Sequence, residues 1–85
     1  MNPRLSDKQL ETIIPLIDNI TNNNHININK NVSRNPLHAE YVLLQITLSK
    51  GSIQLRSFHH ATKKFRTDKF RISPEQILFL KFKTI

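Results

Sequence analysis

Cysteine and tryptophan are missing from the 85 residues, and glycine occurs once. Without cysteine there is no disulfide, no thiolate zinc site and no thiol nucleophile. One glycine cannot build the run of backbone N–H groups that cradles a phosphate, which excludes a glycine-rich nucleotide loop. The longest apolar run, Ile77 to Leu80, falls far short of the roughly 20 residues that cross a bilayer. No apolar stretch follows the first residues as a secretory leader requires. The expectation is an intracellular, cytoplasmic chain with no membrane association and no cofactor.

Acidic residues are also scarce, six against thirteen lysines and arginines, for a net charge of +7. Up to residue 49, Arg4, Lys8, Lys30 and Arg34 are balanced by Asp7, Glu11, Asp18 and Glu40. Beyond it stand Lys50, Arg56, Lys63, Lys64, Arg66, Lys69, Arg71, Lys81 and Lys83 against Asp68 and Glu75 alone. The excess is therefore C-terminal. A one-sided basic surface suits a polyanion, either nucleic acid (DNA or RNA) or an acidic protein surface.

What the chain does contain is apolar alternation. Val42, Leu44, Ile46 and Leu48 lead to Lys50-Gly51, and Ile53 and Leu55 lead away, the pattern of a β-hairpin over 42–58. Gly51 tolerates the positive φ of a tight turn and fixes the tip. Leu48 then faces Ile53, Ile46 faces Leu55, Leu44 faces Ser57 and Leu43 faces Phe58. A lone hairpin is marginal and needs cover. Leu5 to Leu10 supplies it with the start of a helix: Ser6 caps, Gln9 closes a capping box, and Leu5 staples to Leu10. Leu10, Ile13, Ile14, Ile17 and Ile20 continue one helical stripe, with a kink or a break into two short helices near Thr12 to Ile14 because Pro15 removes a donor.

Thr21 to Asn35 holds seven asparagines, which predict a loop, or an edge strand over His25 to Val32. Residues 59–70 predict a helix with Phe58, Ala61, Phe65 and Ile72 near one face and the bases spread over the other. The alternative is a second hairpin turning at Thr67-Asp68, which lacks a glycine or asparagine. Ser73, Pro74 and Gln76 repeat the capping grammar for one helical turn. Leu78, Leu80 and Phe82 alternate with Lys81 and Lys83, which predicts a strand from Ile77 to Thr84. The whole is one small α+β domain, 1–85, with an N-terminal helix on an antiparallel sheet built around the 42–58 hairpin.

The sharpest functional feature is the basic run from Lys63 to Arg71, in which Lys-Phe-Arg occurs twice, at 64–66 and 69–71. Its bases can neutralise phosphates, and exposed Phe65 or Phe70 would stack on unpaired bases. The plainer reading is a solvated basic face with both phenylalanines in the core. Lys50, Arg56, Lys63, Lys64, Arg66, Lys69 and Arg71 are the expected backbone-contacting residues. No zinc-finger, helix-turn-helix or RNP signature accompanies them. His59-His60 adjoins the run and raises a small-ribonuclease alternative, in which one imidazole deprotonates a ribose hydroxyl. Adjacent strand residues point opposite ways, so the pair cannot jointly serve one phosphate. His25, His38, His59 and His60 lack the spacing of a metal site. Ser6, Ser33, Ser52 and Ser73 suit caps and turns better than nucleophiles, and Glu40 and Glu75 make no catalytic pair. A binding protein is thus expected ahead of an enzyme. A third reading is an adaptor or inhibitor that binds protein through a strand edge or the basic face, as phage and mobile-element proteins of this size often do.

Overall fold

Ser6 opens the first element, as its spacing to Gln9 predicts. The computed structural model describes residues 2–21, 25–29, 31 and 33–83. In it Ser6 Oγ accepts the Gln9 N–H and Gln9 Oε1 accepts the Ser6 N–H, each at 3.0 Å, closing the capping box. Helix α1 (Asp7–Ile13) buries Leu10 and Ile13 and ends where Pro15 withdraws a donor. Ile14–Leu16 form a single 3-10 turn. The helical stripe does not continue: Ile17 and Ile20 lie on strand β1 (Ile17–Ile20). Their branched side chains suit a pleated strand once the turn has extended the backbone at Ile17.

Strands β2 (His25–Ile28), β3 (Val42–Ser49), β4 (Ser52–His59) and β5 (Lys64–Arg71) complete an antiparallel sheet in sequential order, and helix α2 (Pro74–Lys83) follows. The architecture is α+β with the expected hairpin at its centre. The Asn-rich segment supplies β2, which is no edge, because β1 flanks it on the outer side. The part of that expectation resting on Val32 falls outside the described residues.

Gly51 takes φ 73°. Leu48 faces Ile53, Ile46 faces Leu55, Thr47 faces Gln54 and Gln45 faces Arg56, as read from the sequence. Beyond Gln45 the register slips at a bulge, so Leu43, not Leu44, faces Ser57, and Val42 faces Phe58. Leu43 is therefore buried and Leu44 is 49% exposed, the reverse of the expected pair. Strict alternation from Ile46 pointed to Leu44, and the bulge between Leu43 and Gln45 turns Leu43 inward in its place.

Residues 59–70 are not a helix. They form a second hairpin whose turn occupies 60–63, well before Thr67-Asp68. Lys63 carries the left-handed conformation (φ 57°), and His59 Nδ1 accepts the Thr62 N–H at 3.2 Å to brace the turn. A longer loop needs only one such residue. The strain of about 1–2 kcal/mol is offset by the cross-strand pairing of β4 with β5.

Helix α2 is the other correction, since Ile77 to Lys83 is helical where a strand was expected and Thr84 lies outside the described residues. Its capping box is present: Ser73 Oγ accepts the Gln76 N–H at 3.2 Å and Gln76 Oε1 accepts the Ser73 N–H at 3.0 Å. Gln76 Nε2 also donates to Leu5 O at 2.7 Å and Asp7 Oδ1 at 3.2 Å, tying α2 to the start of α1. The capping box and Pro74 at the first helical position start a helix whose four-residue spacing buries Gln76 and Leu80 together. At Arg71 the edge of β5 is taken by residues 3–5, with Arg71 N–H to Pro3 O and Leu5 N–H to Arg71 O both at 2.9 Å. Leu10, Ile13, Leu16 and Leu80 share one buried cluster with Ile26, Leu43, Ile46, Leu48, Ile53 and Leu55. Both helices thus cover the same face of the sheet, and among the described residues the other face is open. Among the described residues no helix is long and apolar enough to cross a membrane.

Candidate nucleic-acid interface

Strand parity decides which bases share a face. Ile53, Leu55 and Ser57 point to the core, so their β5 partners Phe70, Asp68 and Arg66 do too. Ser52, Gln54, Arg56 and Phe58 point to the open face, opposite Arg71, Lys69, Thr67 and Phe65. The structure therefore brings Arg56, Lys69 and Arg71 together on the open side. It sends Arg66 and Lys64 to the helix side, and leaves Lys50 and Lys63 in turns at opposite ends of β4. None of the described positions facing outward from β3, β4 and β5 is acidic.

At the turn end of this face the aromatic groups form a row. Phe58 and Phe65 are directly cross-strand with ring centroids 4.8 Å apart, and His60 meets the Phe58 edge at 5.3 Å. The Arg56 guanidinium lies 4.8 Å from the Phe65 centroid. Phe65 is 60% exposed, which sets it apart from Phe70, packed against the core. An apolar ring so open on a flanking cationic surface is costly to leave in water and well placed to stack on a flat partner.

On the covered side of β5, Arg66 spends its charge internally, whereas Lys64 stays exposed. Asp68 is buried and takes Arg66 Nε at 3.0 Å and His38 Nε2 at 3.4 Å. Asn35, also buried, donates from Nδ2 to Ser57 Oγ at 2.6 Å and to Asp68 at 3.4 Å. Its Oδ1 accepts the N–H groups of Leu37 and His38. This network pins the 35–38 turn beneath the sheet. Arg66 also approaches the Tyr41 ring, at 5.9 Å.

His59 and His60 divide between the two faces, His59 against Tyr41 at 5.1 Å and His60 against Phe58. No arrangement presents both to one phosphate. Among the described residues no three histidine or carboxylate side chains gather as a metal site.

Two features escaped the sequence. Arg4, counted there with the balanced N-terminal half, runs parallel to Arg71 and lines a shallow cleft with it. Only the pairing of residues 3–5 with β5 brings it there. The second is a cleft of mixed polar and apolar lining on the other flank of the sheet. β2 pairs with β3 at His25–Thr47 and Ile26–Ile46, and the opening beyond is lined by Asp18, His25, Asn27, Asn31, Ser33 and Gln45 among others. Side-chain amides there offer paired donors and acceptors. No protein-family model, no curated protein and no solved structure matches this chain.

Proposed function

We propose that the protein binds single-stranded nucleic acid on the open face of its sheet, with Phe65 and Phe58 stacking on bases and Arg56, Lys69, Arg71 and Arg4 holding the phosphate backbone. The observation that carries this reading is the exposed Phe65 ring, backed by Phe58 and flanked by Arg56 on a face without carboxylates. Stacking requires unpaired bases, whose ring faces a duplex keeps hidden, so the single strand is the fitting partner. The segregated positive charge supports the same partner through counterion release. His60 belongs to the aromatic row, and the reading is one of binding without strand scission.

The test is fluorescence anisotropy of labelled single-stranded and duplex oligonucleotides across a salt series. Phe65→Ala should lower single-strand affinity by about 1–3 kcal/mol without changing the salt slope. Lys69→Ala should flatten that slope by about 0.7. Lys8→Ala, at an exposed position of α1, serves as the control and should change neither. Absence of salt-sensitive binding to any DNA or RNA would remove the proposal and leave an acidic protein as the partner of this face.

A further inference from the structure

Helix α2 is apolar on both sides. Leu80 and Gln76 are buried against the sheet, while Leu78, Phe79 and Phe82 on the far side are 57%, 40% and 75% exposed. Spacings of three and four make this far side a continuous stripe. Beside it, a cleft between α1 and α2 has Leu10 and Phe79 in its floor and Asp7, Glu11 and Glu75 on its rim. These are three of the six acidic residues of a strongly basic chain. Neither Glu11 nor Glu75 forms an ion pair with a described residue. At the other end of the same helix Phe82, the most exposed of these apolar residues, stands between Lys81 and Lys83, and the Lys83 ammonium reaches back over the Phe79 ring at 5.5 Å.

We infer that this surface pairs with a second copy of the chain, the two α2 helices lying antiparallel about a two-fold axis. An acidic cleft with an apolar floor calls for an apolar anchor carried between cations, and the far end of α2 is such an anchor. Reversing one helix against the other brings Phe82 and its two lysines to the Leu10–Phe79 cleft. The two-fold repeats the contact, so each copy gives an anchor and receives one, and the assembly closes as a dimer. Lys81 and Lys83 then lie near Asp7, Glu11 and Glu75 of the second copy, which sets direction as well as attraction. An anionic membrane fits this surface less well, because three carboxylates border the stripe that would have to insert. The inference does not rest on nucleic-acid binding. Both open faces remain free in such a dimer, since α2 covers the opposite side of each sheet.

The experiment is sedimentation equilibrium of the full chain over a wide concentration range, with circular dichroism as the check on folding. The wild type should move from one to two copies as concentration rises. Phe82→Asp should remain a monomer throughout, with an unchanged spectrum and unchanged affinity for short oligonucleotides. Glu75→Lys and Lys83→Glu should each weaken the dimer about tenfold, and the two together should restore most of it, as expected of charges that face each other across the two-fold. A wild type that stays monomeric at every concentration overturns the inference. So does a dimer that survives Phe82→Asp, or a charge reversal that fails to rescue. Vesicles of anionic lipid complete the test: a monomer that binds them and loses binding on Phe82→Asp would assign the stripe to a membrane and equally overturn the dimer.

Discussion

Arg56 and Arg66 sit one rung apart on neighbouring strands, yet they lie on opposite faces of the β4–β5 ribbon and have different work. Arg66 turns toward the core side and gives its Nε to buried Asp68 at 3.0 Å. Arg56 turns outward and has an aromatic ring, not a carboxylate, beneath it. The difference is between charge that the fold consumes and charge that the fold displays. Net charge counts both alike, so a basic total overstates what a partner can touch. The same division holds along the ribbon, where Leu55 is sealed under the helices and Ser57 under the 35–38 turn, while Gln54 and Arg56 face outward.

The strongest way to break this two-face picture is to empty one side of it. Leu55 is fully buried, so Leu55→Ala should cost about 2–5 kcal/mol, enough to endanger so small a domain. Gln54→Ala, one residue away on the open face, should stay within about 0.5 kcal/mol. Denaturant midpoints measure both. Equal losses at the two positions would mean that both faces are covered.

A second, smaller effect tests the polar network. Asp68→Ala strands Arg66 and His38 and removes one of the two acceptors of Asn35 Nδ2, at a cost of about 1–3 kcal/mol. Adding Arg66→Ala should recover part of that loss, because the guanidinium no longer lacks its carboxylate. Strictly additive losses would show that the pair contributes nothing to the fold.

How much of this division the sequence revealed depends on local signals. The 42–58 hairpin was legible because one glycine set its turn and apolar alternation set its face. Both capping boxes were legible because they need only four residues. The second hairpin was hidden, since Lys63 adopts a left-handed conformation that lysine does not advertise, and Lys64 to Arg71 carries bases on both faces. Moving the turn from Thr67-Asp68 to 60–63 then decides which bases point outward. The C-terminal excess of charge was therefore readable, and its partition between Arg56, Lys69 and Arg71 on one side and Arg66 and Lys64 on the other was not. Helix α2 was misread for a different reason. Its Leu78, Phe79 and Phe82 face solvent, so its apolar pattern is not one that burial within a single chain explains.

The turns themselves give a third comparison. Gly51 and Lys63 both hold positive φ, at 73° and 57°. A Cβ added at Gly51 would meet no atom within 4 Å, so any penalty there comes from the backbone alone. Gly51→Val should accordingly cost about 1–2 kcal/mol. Lys63→Gly relieves strain of that kind but frees the unfolded chain, and the two effects should leave stability within about 0.5 kcal/mol. Thermal midpoints that fall equally for both would place the strain elsewhere.

The smallest stability change should accompany the largest change in binding, and the two arginines make that test. Arg56→Ala removes an exposed cation–π contact, so stability should drop by no more than about 0.5–1 kcal/mol. If Arg56 holds a phosphate on the open face, the same variant should flatten the salt dependence of single-strand affinity by about 0.7. Arg66→Ala should do the reverse, destabilising the domain through Asp68 while leaving the salt slope of the folded protein unchanged. Anisotropy titrations at several salt concentrations, paired with denaturation curves, separate the two outcomes. Should Arg66→Ala flatten the slope and Arg56→Ala leave it intact, the interface would lie on the helix side around His59 and Lys64. The aromatic row of the open face would then serve only to close the second hairpin.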